Sequence, residues 1–231
     1  MITGAAAHGG HFRAPDFDAE ITAHGTPARW RRARMCPCFN PATGHPAIDC
    51  GVCTEGLLWD DGELVRILAA SRRREDVYDA AGQRMEGMCV FTFPTGLTPG
   101  HLDRIELTAA VMTVNNELHI RGQVDKATPP RSTERLRIAP ALEIEFCEAI
   151  LDGVRTGYTF FEDFTVDAAG AITWQPGHGP AAGTRYSMRY TTRPTYLVWS
   201  PQSRDEGGAR MPYRARAQRY DFFNRKAVGE A

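Results

Sequence analysis

Residues 184–199 read TRYSMRYTTRPTYLVW, and this stretch is the clearest indication of the fold. Its side chains alternate: Tyr186, Met188 and Tyr190 fall on one side of an extended chain, with arginine and serine residues between them. A repeat of two residues is typical of a β-strand that packs one face and exposes the other. The stretch therefore predicts a sheet with an aromatic inner face.

Segments of the same kind continue on both sides. Residues 161–174, FEDFTVDAAGAITW, indicate two strands around a glycine turn, and residues 103–107 alternate in the same way. Turn-forming residues recur at roughly the 8–12-residue spacing of sandwiches and barrels. We expect a mainly β protein, with a β-sandwich or barrel-like domain, an extended N-terminal arm and a small zinc knuckle.

These patterns divide the chain into four expected parts. They are an extended N-terminal arm (1–28), a zinc-knuckle module (29–60), a β-sandwich or barrel domain (61–208) and a C-terminal docking tail (209–231).

Composition limits the class of protein. The 231 residues include 27 basic and 28 acidic side chains, so a polycation that coats nucleic acid is not expected. No apolar run approaches the roughly 18 residues of a membrane helix, so no membrane protein is expected. The first residues lack the pattern of a secretory signal, so no such signal is expected.

Four of the six cysteines cluster as CPC and CGVC, at Cys36, Cys38, Cys50 and Cys53. Without a secretory signal, such clustering favours metal binding over disulfides. Two short chelating arms joined by a reversing loop can direct four thiolates at one zinc ion, at about 2.3 Å from each sulfur. Four thiolates leave no position open for water, so the zinc is predicted to be structural rather than catalytic.

Two alternatives to zinc stay open: a redox-active cysteine pair, and four unligated thiols. The CPC arm is shorter than the usual metal-binding spacing. The remaining cysteines, Cys89 and Cys147, lie in predicted strands and are expected to be buried as small apolar side chains.

Two segments are candidates for contact with a partner. The first is a basic run, residues 29–34, which suits either phosphate contact or a protein interface anchored by a buried tryptophan, while a plain solvated flank is the alternative. Its candidate residues are Arg29, Trp30, Arg31, Arg32 and Arg34. The second is the C-terminal tail, where arginines and aromatics suit docking on a neighbouring subunit or closure of an edge strand. Its candidate residues are Arg214, Arg216, Arg219, Tyr220, Phe222 and Phe223.

No catalytic motif is present. The sequence has no phosphate-binding loop, no GxGxxG after a strand, no HExxH and no GxSxG. We therefore expect no enzyme. An enzyme would need a site that gathers two or more scattered candidates, namely Glu143, Glu145, Asp163, His101 and His119.

Two stretches together resemble a group of tailed-bacteriophage virion proteins from the head–tail joining or neck region. Residues 36–59, CPCFNPATGHPAIDCGVCTEGLLW, are similar to the compact CxC…CxxCxxG zinc ribbons of phage structural proteins. Residues 161–174 and 183–199 are similar in style to the β-domains of phage neck and connector proteins.

The resemblance implies a structural role in the virion neck or tail region, with the host cytoplasm as the location during assembly. It implies a ring of copies of the chain, built through head-to-tail interfaces, or the decoration of such a ring. The implied partners are other neck, portal or tail proteins, with non-specific contact to phage DNA. A zinc-ribbon protein that binds nucleic acid through residues 29–34 is the alternative.

Overall fold

A computed structural model describes residues 13–43, 45–47, 50, 53, 56–71, 87–124, 134–206 and 209–220. These residues form one α-helix and sixteen β-strands. In chain order they are α1 (Ala14–His24), β1 (Thr26–Arg31), β2 (Ala33–Met35), β3 (Phe39–Asn40), β4 (His45–Pro46), β5 (Leu57–Trp59), β6 (Glu63–Ser71), β7 (Met88–Thr92), β8 (Arg104–Leu107), β9 (Met112–Ile120), β10 (Ala141–Leu151), β11 (Val154–Tyr158), β12 (Phe164–Val166), β13 (Ile172–Trp174), β14 (Arg185–Thr192), β15 (Thr195–Glu206) and β16 (Ala209–Arg219).

Six antiparallel strands close into a barrel in the order β1-β6-β7-β16-β15-β8, and β8 pairs with β1 to complete it. Closure leaves no free strand edge in the barrel. Large rings fill the interior, among them Trp30, Phe91 and Phe93. Two inward residues of β16, Ala215 and Ala217, are small; they lie opposite β7 and leave room for these rings. The predicted mainly β class with a barrel is confirmed.

The second β-unit is an insertion into the barrel. Strands β9 to β14 lie between β8 and β15, yet β8 and β15 pair directly with each other. The inserted chain leaves and returns at neighbouring points, because the amide of Leu107 donates to the carbonyl of Pro194 at 3.0 Å. The unit consists of a four-stranded sheet, β11-β10-β14-β9, and the hairpin β12–β13.

The inserted unit has a core of its own. The alternation of residues 184–190 places Tyr186, Met188 and Tyr190 in it, each 1% exposed or less. Phe164 and Trp174 of the β12–β13 hairpin belong to the same core. The aromatic inner face predicted from the sequence therefore lies in this unit, and the hairpin covers it.

A buried carboxylate organises this second core. Glu134 is 4% exposed and accepts hydrogen bonds from Trp174 Nε1 at 2.9 Å and from the Tyr186 hydroxyl at 2.9 Å. The amide of Gly122 donates to it at 2.7 Å, and Arg121 Nη1 lies at 3.2 Å. Because its donors come from separate segments, this carboxylate ties the sheet, the hairpin and the segment before β10 together.

The expected division of the chain differs from the observed sheets. Residues 26–31 are the first barrel strand rather than part of an arm or a zinc module, and residues 61–208 contain two cores rather than one. The segment expected as a docking tail begins with β16, which is paired on both sides, to β7 and β15. Pairing between strands that are distant in sequence sets these boundaries. The composition of a segment does not reveal such pairing.

The expected N-terminal arm is also different in its described part. Residues 14–24 form α1, which has a proline in its first turn and the Asp16 carboxylate on the backbone amide of Arg13 at 3.0 Å. Ile21 is buried, and Asp18 Oδ1 accepts from the amide of Thr95 at 2.7 Å. Within the described residues, no helix has the length and apolarity needed to cross a membrane.

Candidate metal centre

The four clustered cysteines converge. Their sulfur atoms all lie within 4.8 Å of one another, with Cys36 and Cys50 3.9 Å apart and Cys38 and Cys53 3.4 Å apart. Ligands about 2.3 Å from a tetrahedral metal ion would be separated by about 3.8 Å. All four cysteines are free, and these separations are far from the roughly 2.05 Å of a disulfide. The four sulfur atoms are therefore close enough together to hold one metal ion.

Short strands bring the two cysteine arms together. Cys36 directly follows β2, and its amide donates to the carbonyl of Gly56, just before β5, at 2.7 Å. Strands β2 and β5 pair, so the first and last parts of the module are held side by side. Gly56 adopts φ +83°, and a Cβ there would lie 3.1 Å from Pro46 Cβ, so glycine suits both the turn and the contact.

Turns direct the inner sulfurs. The amide of Phe39 donates to the carbonyl of Cys36 at 3.0 Å, which forms a tight turn through Cys38. The amide of Ala47 donates to the carbonyl of Cys38 at 3.2 Å, and the amide of Cys50 donates to that of Ala47 at 3.2 Å. Strands β3 and β4 pair between these turns, so the loop reverses as the sequence predicted.

The environment of the inner thiols favours their protonated form as long as no cation is bound. Burial, together with the neighbouring Cys36, Cys53 and Cys50 sulfurs, raises the pKa of the Cys38 thiol to about 12, although a hydrogen bond with the backbone of Ala47 lowers it. Burial likewise raises the pKa of Cys53. A thiolate must form before it binds a metal, and a cation at the centre is what makes several adjacent thiolates compatible. The donor set and its spacing therefore fit a soft or borderline metal ion with no open coordination position.

The metal module, which consists of the paired strands β2 and β5 and the four clustered cysteines between them, is attached to the barrel through Asp103. This carboxylate is 3% exposed; its Oδ1 accepts from the amide of Ala33 in β2 at 2.9 Å, and its Oδ2 accepts from Trp30 Nε1 at 2.7 Å. The amide of Gly100 donates to Oδ2 at 2.7 Å. Since β2 leads directly into Cys36, the carboxylate joins the barrel core to the first metal ligand.

A second attachment comes from β5. The indole nitrogen of Trp59 donates to the carbonyl of Leu102 at 3.0 Å. The Trp59 ring stands edge-on to Tyr220, with centroids 6.5 Å apart, and the Arg104 guanidinium lies 6.0 Å from the Trp59 centroid. Both strands of the two-stranded ribbon β2–β5 are therefore attached to the barrel side of the protein, β2 through Asp103 and β5 through Trp59.

Asp103→Asn should reduce the free energy of unfolding by about 1–3 kcal/mol, because an amide oxygen replaces only part of the acceptor capacity of the carboxylate. We expect the amide of Ala33 to lose protection against hydrogen exchange while the metal stays bound. Asp61→Asn is the matched control, because Asp61 is exposed in the neighbouring turn. Equal urea midpoints for the two variants would show that Asp103 does not fix the ribbon.

The structure places the predicted basic run on β1 and the start of β2. Trp30 is 2% exposed and lies in the barrel core, so its ring is not available to nucleic acid or to another subunit, and we withdraw it as a contact candidate. Arg32 pairs with Glu63 at 2.6 Å and lies 4.3 Å from the Trp30 centroid. Arg29 donates to the carbonyl of Asp61 at 3.4 Å, while Arg34 is exposed.

The predicted tail residues are distributed along β16 and beyond. Arg214 and Arg216 are exposed on the outer face of the barrel, and Arg219 is half-buried at the strand end. Tyr220 packs near Trp59, while Phe222 and Phe223 lie outside the described residues. Strand β16 of the tail and Arg29 to Arg31 of the basic run therefore belong to one barrel, while Arg34 lies on β2.

The other cysteines match their prediction. Cys89 faces the barrel interior and Cys147 lies in the core of the inserted unit, and both are buried. Burial raises the pKa of the Cys89 thiol to about 11 and that of Cys147 to about 12. Such thiols are protonated at neutral pH and are poor nucleophiles.

Four of the five scattered catalytic candidates are engaged with separate partners, among them Glu145, which pairs with Arg189 at 2.5 Å. The Asp163 carboxylate pairs with His178 at 2.7 Å, which lowers the Asp163 pKa. His101 contacts the carbonyl of Trp199, and His119 lies 3.3 Å from Glu117. Sequence reasoning missed the buried carboxylates of Asp103, Glu117 and Glu134, because in sequence they look like ordinary polar positions.

Comparison of the chain with protein-family models and with curated proteins finds no match.

Proposed function

We propose that the chain is a structural protein of a tailed-phage virion, which forms or decorates a ring in the neck or head–tail connection. The observation that carries this proposal is the cluster of four converging cysteine sulfurs, attached by hydrogen bonds to a closed barrel. Such a site shapes and stiffens a surface rather than reacting with a substrate. The similarity of the cysteine module to phage zinc ribbons supplies the biological context.

Zinc is the metal we propose for the site. Four thiolates in a small tetrahedral cluster are a typical structural zinc set, and zinc brings no redox chemistry of its own. The metal would hold the turns around Cys36, Cys38 and Cys50, where the described residues have little apolar core. Its role would be to order the ribbon for contact with another subunit.

The inserted unit supplies a surface for self-association. In its sheet β11 is an outer strand, and the hairpin that it forms with β10 exposes Ile150 (73%) and Val154 (65%). Phe161 follows this hairpin and is 73% exposed. Outer strands with apolar side chains are suited to pairing with another chain, so we assign this hairpin to the contact between neighbouring copies.

Assembly should therefore depend on the hairpin. We expect the full-length protein to elute as a multimer, or to copurify with virion particles, and Ile150→Arg to shift it toward monomer. Leu64→Arg is the matched control, because Leu64 is similarly exposed (70%) but lies on the barrel. Light scattering coupled to gel filtration measures the masses, and electron microscopy shows rings.

A monomer that joins no particle would contradict the proposed role. Assembly that responds equally to the Ile150 and Leu64 substitutions would contradict only the assigned contact. Tight, salt-dependent DNA binding by that monomer would instead support the nucleic-acid alternative.

A further inference from the structure

Two arginines stand side by side on the outer surface of the barrel, near the metal module. Arg31 of β1 lies directly opposite Arg104 of β8 in the antiparallel register. Their chain neighbours Trp30 and Ile105 fill the barrel interior, so both arginines lie on the outer face. Like charges placed directly opposite each other destabilise a sheet.

Among the described residues, the Glu106 carboxylate is close enough to Arg104 to raise its pKa, but it forms no ion pair with it. Neither guanidinium forms an ion pair there, and the Nε atoms of both arginines are buried without an acceptor. The next outward residue of β8 is Glu106, and it pairs with Arg193 at 3.6 Å. Because Glu106 is paired with Arg193, it offsets the two positive charges only in part, and neither arginine has an ion-pair partner among the described residues.

Aromatic rings hold one arginine in place. The Arg104 guanidinium lies 5.3 Å from the centroid of Tyr220 and 6.0 Å from that of Trp59. Burial lowers the pKa of Arg104, and the nearby charge of Arg31 lowers it further. Stacking against rings restrains a guanidinium while leaving its N–H groups able to donate in plane.

We infer that Arg31 and Arg104 form a binding site for an oxyanion, of the phosphate or carboxylate class. Each guanidinium offers a planar fork of N–H donors that matches two oxygens of such an anion. An anion between the two forks removes their mutual repulsion, and it converts an unfavourable pair into a charge-assisted network. The site lies on the barrel beside Trp59 of the metal module, and it depends neither on the metal nor on the proposed ring.

Calorimetric titration with inorganic phosphate tests the site. At constant ionic strength, the full-length protein should bind one phosphate saturably, and Arg31→Gln should weaken binding by about tenfold or more. Arg216→Gln is the matched control, because Arg216 is exposed on β16, on another part of the barrel. This control should bind as the unchanged protein does.

A second variant distinguishes loss of phosphate binding from loss of folding. Arg104→Lys keeps the charge and the apolar stem but removes the fork, so phosphate binding should weaken several-fold while the thermal midpoint is largely kept. Absence of saturable binding, or equal binding by the Arg31 and Arg216 variants, would overturn the inference.

Competition identifies the natural source of the anion. Displacement of phosphate by a short DNA duplex at the same ionic strength would assign the site to nucleic-acid phosphates. Displacement by acetate, and not by the duplex, would assign it to a carboxylate. Both results require the Arg31–Arg104 site, because each should disappear in Arg31→Gln.

Discussion

Cys50→Ser should lower the bound metal from about one ion per chain to nearly none, and should disorder residues 33–59 while the barrel stays folded. Its sulfur lies 3.9 Å from that of Cys36, within the cluster of four. A serine hydroxyl does not replace a thiolate as a ligand, and apparent binding free energies of structural zinc are about 10–16 kcal/mol. Elemental analysis measures the metal, and hydrogen exchange measures the order of the ribbon.

Cys89→Ala is the control for this experiment, because Cys89 is a buried cysteine of the barrel and lies outside the cluster. It should keep the metal and the protection of the ribbon. The barrel is expected to survive Cys50→Ser, because its strands pair in a closed circuit without the ribbon. Unchanged metal content in Cys50→Ser would refute the four-cysteine site, whereas cooperative melting of the whole chain would show that the ribbon is part of the barrel's folding unit.

Removal of the metal by a chelator should reproduce this effect in the unaltered chain. The protonated thiols would remain, since burial raises the pKa of Cys38 to about 12. Acidification should release the metal as well, because protons compete with it for the sulfurs. These treatments separate loss of the ion from any local effect of the serine.

The metal cluster and the β class were predictable because both depend on local spacing. Four cysteines on two short arms can converge over one reversing loop, whatever the rest of the chain does. Alternation over residues 184–190 likewise requires only the period of a strand. The structure confirms that the sulfurs of Cys36, Cys38, Cys50 and Cys53 come together.

The architecture was not predictable because it depends on pairing between distant strands. Nothing near residues 104–107 indicates that they pair with residues 195–197 across an entire inserted unit. Residues 214–217 carry arginines outward and small alanines inward, so in sequence they resemble a polar tail. Only the structure shows the large rings that lie opposite them. Trp30 was similarly ambiguous, because a tryptophan among arginines suits a surface anchor as well as a core.

Buried carboxylates are the third feature that the sequence conceals. In the sequence, Asp103 and Glu134 cannot be distinguished from acidic residues at the surface. Their burial follows only from the hydrogen-bond donors that the tertiary structure brings to them. Both lie where separate parts of the fold meet: Asp103 between the barrel and the ribbon, and Glu134 between the sheet and the hairpin of the inserted unit. Polar groups buried at such junctions favour one arrangement of the parts over others.

Glu134→Ala should destabilise the inserted unit by about 3–5 kcal/mol, which is a large share of the stability of a small β-domain. The substitution leaves the Trp174 indole N–H and the Tyr186 hydroxyl buried without their acceptor, and it removes the partner of Arg121. Each lost acceptor adds a desolvation cost to the cavity left by the side chain. Urea unfolding followed by tryptophan fluorescence should show a transition at much lower denaturant.

Glu148→Ala is the matched control, because Glu148 pairs with the exposed Arg155 on the surface of the same sheet. A solvent-exposed pair is worth about 0–1 kcal/mol, so this variant should unfold close to the unaltered protein. Hydrogen exchange in residues 141–151 and 185–192 should accelerate in Glu134→Ala alone, while barrel amides in residues 26–31 keep their protection. Similar urea midpoints for the two variants would mean that the donors to Glu134 find other acceptors. The aromatic packing of the inserted core would then hold this unit together without its buried carboxylate.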